Sequence, residues 1–157
     1  MKIRNWKAYA FWIGLSELVG VLAGFLIRRG VEIYGLTTAK PPLSPPDWVF
    51  PVVWTILYAL MGISAARIWK LKDSAEKRRS VNLFIIQLAV NFFWPLFFFN
   101  LQAYGFALVW LVLLWIFVLL LILNNRKLDK YAAYLLIPYL IWLSFAVYLN
   151  AGVYLLN

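Results

Sequence analysis

Five runs of mostly apolar residues leave this chain little choice of fold. They fall at roughly Trp6–Ile27, Trp48–Trp69, Val81–Phe99, Tyr104–Leu123 and Ala132–Leu155. A helix of about 20 residues crosses the hydrocarbon core of a bilayer. Inside lipid every backbone N–H and C=O must find its partner within the structure, so each run is expected to be helical. The 157 residues are 65% hydrophobic; soluble domains lie near half. A chain this short cannot hide that much apolar surface from water. The expected fold is all-α and integral to a membrane, a single domain over residues 1–157 built as a bundle of five transmembrane helices. The opening MKIRNWK and the apolar run from Ala8 to Ile27 have the order of a signal peptide. That run is too long and lacks a small-residue cleavage site, so a retained first span is expected.

The connections differ from one another. Gly30–Pro46 is expected as a long loop, with prolines at 41, 42, 45 and 46. Leu71–Ser80 is expected as a charged loop, Asn100–Ala103 as a tight turn and Asn124–Tyr131 as a short basic connection. Pro95 and Pro138 fall inside spans three and five, where they kink a helix or leave carbonyls for neighbours to satisfy. Five spans put the termini on opposite sides. One side then holds Lys2, Arg4, Lys7, Arg67, Lys70, Lys72, Lys77, Arg78, Arg79, Arg126, Lys127 and Lys130, and the other only Arg28, Arg29 and Lys40. The positive-inside rule places the N-terminus in the cytoplasm and the proline-rich loop outside.

Residue types that are missing narrow the chemistry. There is no cysteine and no histidine, which removes disulfides, thiolates, the usual proton shuttle and the usual haem or zinc ligand. No metal site is expected and no cofactor is required. The net charge of +9 reads as topology and attraction to lipid headgroups, with the bilayer and not nucleic acid as partner. No paired carboxylates, nucleophile–base pair or phosphate loop is present, so no hydrolytic or group-transfer site is expected. Glu17 is the one acidic residue inside a span, which marks it as a candidate functional position; no histidine or second buried acid completes a relay.

Three stripes carry what chemistry there is. Trp54, Tyr58 and Met61 recur at i, i+4 and i+7 and share a helix face. They read either as an interfacial aromatic belt or as the wall of a ligand site. Trp48 suits the belt; Trp54 lies about 9 Å deeper at 1.5 Å per residue. In span three Gln87, Asn91 and Trp94 share a face, and polar side chains in a span turn inward. They either bond neighbouring helices or anchor a polar group at the edge of an aromatic pocket. Span five aligns Pro138, Trp142, Ala146 and Asn150 at spacing four, a ring followed by a methyl. That notch packs a neighbouring helix or floors a flat ligand. Ser16, Gly20 and Gly24 have small-xxx-small spacing, a close-packing signature of low specificity.

The string KPPLSPPDWVFPVVWTILYALMG from Lys40 to Gly62, followed in order by QLAVNFFWPLFFF and YLLIPYLIWLSFAVYLN, resembles the TspO/MBR family. These are the translocator proteins, also called tryptophan-rich sensory proteins or peripheral-type benzodiazepine receptors. The resemblance covers essentially the whole chain. It implies a five-helix homodimer that binds porphyrins such as protoporphyrin IX, other flat apolar molecules and benzodiazepine-type ligands under the loop between helices one and two. Carried onto this sequence, the ligand-binding positions are Tyr34, Pro45, Phe50, Trp54, Tyr58, Asn91, Trp94, Trp142 and Ala146. Some bacterial members promote light-dependent oxidative breakdown of protoporphyrin IX; the tryptophans implicated match Trp54 and Trp142, so that activity is the first alternative. Transport of a tetrapyrrole or lipid is the second, although no inverted repeat or broken helix pair marks an alternating-access device. Leu43 stands where the family's loop usually has tryptophan. The C-terminal VYLNAGVYLLN has no Lys or Arg after its tyrosines, so cholesterol is not expected as a ligand. From topology alone, a short, untargeted chain of this kind is expected in a bacterial inner membrane, with the mitochondrial outer membrane as the alternative.

Overall fold

The computed structural model describes residues 3–157, with side chains from Trp6 onward. Lys2 and the side chain of Arg4, counted above on the cytoplasmic side, lie outside the described residues. Six α-helices follow in order: α1 (Ile3–Thr37), α2 (Val49–Trp69), α3 (Ala75–Pro95), α4 (Tyr104–Leu128), α5 (Lys130–Tyr134) and α6 (Ile137–Leu156). Five stretches of helix are long and apolar enough to cross a membrane, with α5 and α6 together forming the fifth. No strand occurs among the described residues. This is a multi-pass membrane protein.

Helix boundaries depart from expectation where packing outweighs local punctuation. The first helix runs ten residues beyond Ile27, to Thr37, so the expected loop from Gly30 shrinks to the stretch after Thr37. Glycine costs a helix only about 1 kcal/mol. Gly30 lies against the backbone of Phe99 and the side chain of Asn100, where a Cβ would not fit. One turn on, Tyr34 is buried between Phe98 and Phe99. The charged segment before Val81 is helical from Ala75, because the Ser74 hydroxyl accepts the Lys77 N–H at 3.1 Å as an N-cap. Helix α4 continues to Leu128 and not to Leu123, because Asn124 and Asn125 are buried among hydrogen-bond partners. Asn125 accepts from Ser80 at 2.6 Å and donates to Ser64 at 3.3 Å, tying α2, α3 and α4 together.

Both intramembrane prolines sit at breaks. After Pro95 the chain widens into a π-helical turn, Leu96–Asn100. The Leu101 N–H reaches back to the Leu96 carbonyl at 3.1 Å, so the looser turn takes up carbonyls that a kink would orphan. Pro138 lies in the first turn of α6, where its missing N–H costs nothing.

The fifth span closes on α2 at the basic end of the bundle. Ser64 donates to the Ala132 carbonyl at 2.7 Å. Arg67 grips Asp129 through both Nε (2.7 Å) and Nη2 (3.3 Å). Towards the opposite end the backbones of α2 and α6 scarcely approach each other; α4 is the main neighbour of α6 and α1 that of α2. The fifth span therefore diverges from α2 away from the Arg67–Asp129 end, and large side chains fill the opening.

Candidate functional site

The opening between α2 and α6 is filled with rings. Trp54 of α2 meets Trp142 of α6 edge-on at 6.4 Å between centroids, and Tyr139 at 6.2 Å. Phe50, in the first turn of α2, meets Trp142 at 5.9 Å. Trp54 lies over Tyr58 one turn below, at 5.6 Å. Helical spacing puts these side chains on facing stripes: 50, 54 and 58 on α2, and 139, 142 and 146 on α6. Gly20 of α1 makes the room, since a Cβ there would strike the Tyr58 ring.

Behind the rings runs a directed chain of hydrogen bonds. The Tyr58 hydroxyl donates to Asn91 Oδ1 at 2.5 Å, and Asn91 Nδ2 donates to the Tyr139 hydroxyl at 2.8 Å. Tyr139 in turn donates to Gln87 Oε1 at 2.9 Å, and Gln87 Nε2 rests on Met61 Sδ at 3.9 Å. Each of these residues is buried. Of the two readings of Gln87 and Asn91, interhelical bonding describes what they do: they join α2, α3 and α6 and hold Tyr58 and Tyr139 in place. Trp94 does likewise through its indole, donating to Asn150 Oδ1 at 3.0 Å, while Asn150 donates to the Tyr104 carbonyl at 2.9 Å.

One polar atom is left out. Among the described residues, the indole N–H of Trp142 is the buried side-chain nitrogen or oxygen without a partner. A buried donor left unpaired costs roughly 1–3 kcal/mol, and in a span no bulk water relieves it. The site thus holds a donor in want of an acceptor, set among aromatic faces.

The segment from Thr38 to Trp48 closes over this end. Pro41 is buried, its ring against Gly152 of α6 where a Cβ would collide. The Tyr148 hydroxyl donates to the Pro42 carbonyl at 2.7 Å. The Asn157 side chain accepts from the Ala39 N–H at 3.1 Å and donates to its carbonyl at 2.9 Å. The proline-rich segment is therefore a lid pinned to the C-terminal end of α6. Pro45 lies half-buried within it, next to Ser44, which donates to the Pro41 carbonyl at 2.8 Å. Leu43 is 80% exposed at φ 70°, so the position where the family usually carries tryptophan contributes no wall.

The structure thus assembles Phe50, Trp54, Tyr58, Asn91, Trp142 and Ala146 in one aromatic and polar cluster. Tyr34 stands apart, packed with Phe98 and Phe99 in a neighbouring cluster, with Lys40 Nζ 4.9 Å above its ring. Trp94 borders both clusters and stacks on Phe98 at 5.1 Å. Pro138 leaves the expected stripe: it is exposed, and the buried face of α6 runs through Tyr139, Leu143, Ala146 and Asn150. Tyr139 is the residue the sequence reading missed; its 4-3-4 spacing to those three positions was the available signal. Of the small residues on α1, Ser16 is buried and Gly20 receives Tyr58, but Gly24 is exposed with nothing near it. Glu17 is half-buried on α1 and joins neither ion pair found among the described residues. No three acidic residues come together there to hold a metal ion.

Outside the spans, Asp129 is the group whose titration matters to the fold. Burial pushes its carboxyl up. The hydrogen bond from Arg67, the Tyr131 N–H and the guanidinium charge outweigh this and hold it below the usual carboxylate range.

The chain is similar to known proteins over nearly its whole length. The TspO/MBR family model matches residues 12–156. The chain is 42% identical to the tryptophan-rich protein TspO of Chlorobaculum tepidum over 152 residues, covering 94% of both chains. It is 37% identical to that of Archaeoglobus fulgidus, covering 88% of this chain and 90% of the relative. It is 39% identical to the translocator protein of Sus scrofa, covering 85% of this chain and 82% of the relative. With a match over nearly its whole length and the five-span architecture in place, the chain belongs to the TspO/MBR family.

Proposed function

We propose that this protein is a membrane receptor or sensor that binds porphyrins, protoporphyrin IX among them, and benzodiazepine-type ligands between α2 and α6 beneath the lid. The observation that carries the reading is the buried, unpartnered Trp142 N–H, set where only rings separate two diverging helices. A flat aromatic molecule bearing carboxylate or carbonyl acceptors answers both features. It would part Trp54 from Trp142, stack on them and accept from the indole. Stacking adds roughly 0.5–1.5 kcal/mol per aromatic pair beyond area burial. With no histidine or cysteine in the chain, the metal-free porphyrin is preferred over haem.

Titration of intrinsic tryptophan fluorescence with protoporphyrin IX tests this. A Trp54→Ala, Trp142→Ala double variant is expected to bind at least about tenfold more weakly, as the loss of two stacking partners implies. Unchanged affinity would sink the assignment. Light-dependent oxidative breakdown of the bound porphyrin is a second reading, favoured by the placement of both tryptophans at the same opening. Illumination of the complex should then consume the porphyrin absorbance faster than in a protein-free control. The protein is further proposed to act as a homodimer in a bacterial inner membrane, which crosslinking in native membranes checks.

A further inference from the structure

A groove of about 820 Å³ opens at the basic end of the bundle, far along the helices from the aromatic site. Phe11 and Trp12 of α1, Trp69 at the end of α2 and Ile85 of α3 wall it, and Lys7 and Lys70 stand on it. Its floor is firmly built. Trp12 is buried, with its ring 5.6 Å from Trp69 and 5.5 Å from Phe84. The cations are not neutralised. Lys70 Nζ donates to the Tyr9 hydroxyl at 3.0 Å, and among the described residues neither it nor Lys7 has a carboxylate within 4.0 Å.

The surrounding charge is one-sided. Among the described side chains ten basic ones belong to this end, against Asp73, Glu76 and Asp129. Arg78 takes up Asp73 at 2.8 Å and Arg67 takes up Asp129. An apolar trough with uncompensated ammonium groups on its rim, at the membrane boundary, matches one chemistry: a phosphate head with an acyl chain behind it. We propose that this groove binds one anionic phospholipid of the cytoplasmic leaflet, its phosphate between Lys7 and Lys70 and a chain along Phe11 and Ile85.

Native mass spectrometry of the full-length protein, released from nanodiscs of equal phosphatidylglycerol and phosphatidylcholine, reads this out. The wild type is expected to retain one phosphatidylglycerol, preferred by roughly thirtyfold for two lysines. Lys7→Gln with Lys70→Gln should abolish that preference. Lys72→Gln with Arg126→Gln, which removes the same charge from exposed positions off the groove, should leave it intact. Ile85→Trp, which fills the trough and keeps the charges, should also lower retention. Equal loss in the two charge variants would mean diffuse surface attraction and overturn the proposal. So would equal retention of phosphatidylcholine by the wild type, or full retention by the Lys7, Lys70 pair.

Discussion

At Trp142 a ring and a donor can be separated. Trp142→Phe keeps an aromatic face towards Phe50 and Trp54 and removes the unpartnered N–H. If that N–H meets a ligand acceptor, porphyrin affinity falls by about fivefold to tenfold, the value of one net hydrogen bond. Trp54→Phe, which removes no orphaned donor, should cost less. Fluorescence titration of the two variants side by side checks the order. Leu43 is a different case. Its backbone sits at φ 70° with the side chain in the open, a conformation that costs an L-residue roughly 1–2 kcal/mol. Leu43→Gly relieves it, less the entropy that glycine adds to the unfolded chain. A gain of about 0.5–1 kcal/mol is expected, seen as a higher thermal midpoint in detergent.

Among the elements, α6 does the most to shape the site, and much of it was not legible. Its stripe of Trp142, Ala146 and Asn150 is legible from spacing, whereas Pro138 shares that spacing and does not belong to it. The proline is instead absorbed by a helix start, which turns it outward and brings Tyr139 to full burial. Tyr139→Phe would strip the hydroxyl that accepts from Asn91 and donates to Gln87, leaving both buried amides short of a partner. A loss of about 2 kcal/mol follows, measurable as a lower unfolding midpoint. Further along α6, Gly152 lets the Pro41 ring seat. Gly152→Val keeps the helix and pushes the lid away. Porphyrin association and dissociation should both quicken by stopped-flow fluorescence, with the unfolding midpoint little changed. Helix α1 teaches the reverse lesson: glycine and charge at Arg28–Gly30 read as a loop, and the helix runs through because burying Tyr34 outweighs a glycine.

For the whole molecule, the divergence of α2 and α6 rests on a clasp at one end. Arg67 and Asp129 form it, and Asp129 also accepts the Tyr131 N–H at 3.0 Å to start α5. Because the folded protein holds this carboxyl below its unfolded value, the clasp's contribution is complete above the unfolded pKa, near 4. It is lost as pH falls through the lower, folded value. Unfolding midpoints in detergent should therefore drop on acidification below about pH 4. Asp129→Asn should be less stable at pH 7 and show a shallower acid dependence.

The sequence by itself determined that the chain crosses a membrane five times, which side carries the positive charge, and which family it resembles. Lipid leaves the backbone no choice but helix, and the basic residues divide twelve to three between the two ends of the spans. It also put Trp54 and Trp142 on their faces, because helical spacing is local. Only the tertiary structure decided that the start of α5 meets α2 at the Arg67–Asp129 end while α6 stands away from α2, that Tyr139 and not Pro138 faces inward, and that the proline lid is latched to Gly152, Tyr148 and Asn157. These are contacts between residues tens of positions apart in the chain. These contacts outweigh the local preferences, and of them only the burial of Tyr139 leaves a trace in the spacing along the chain.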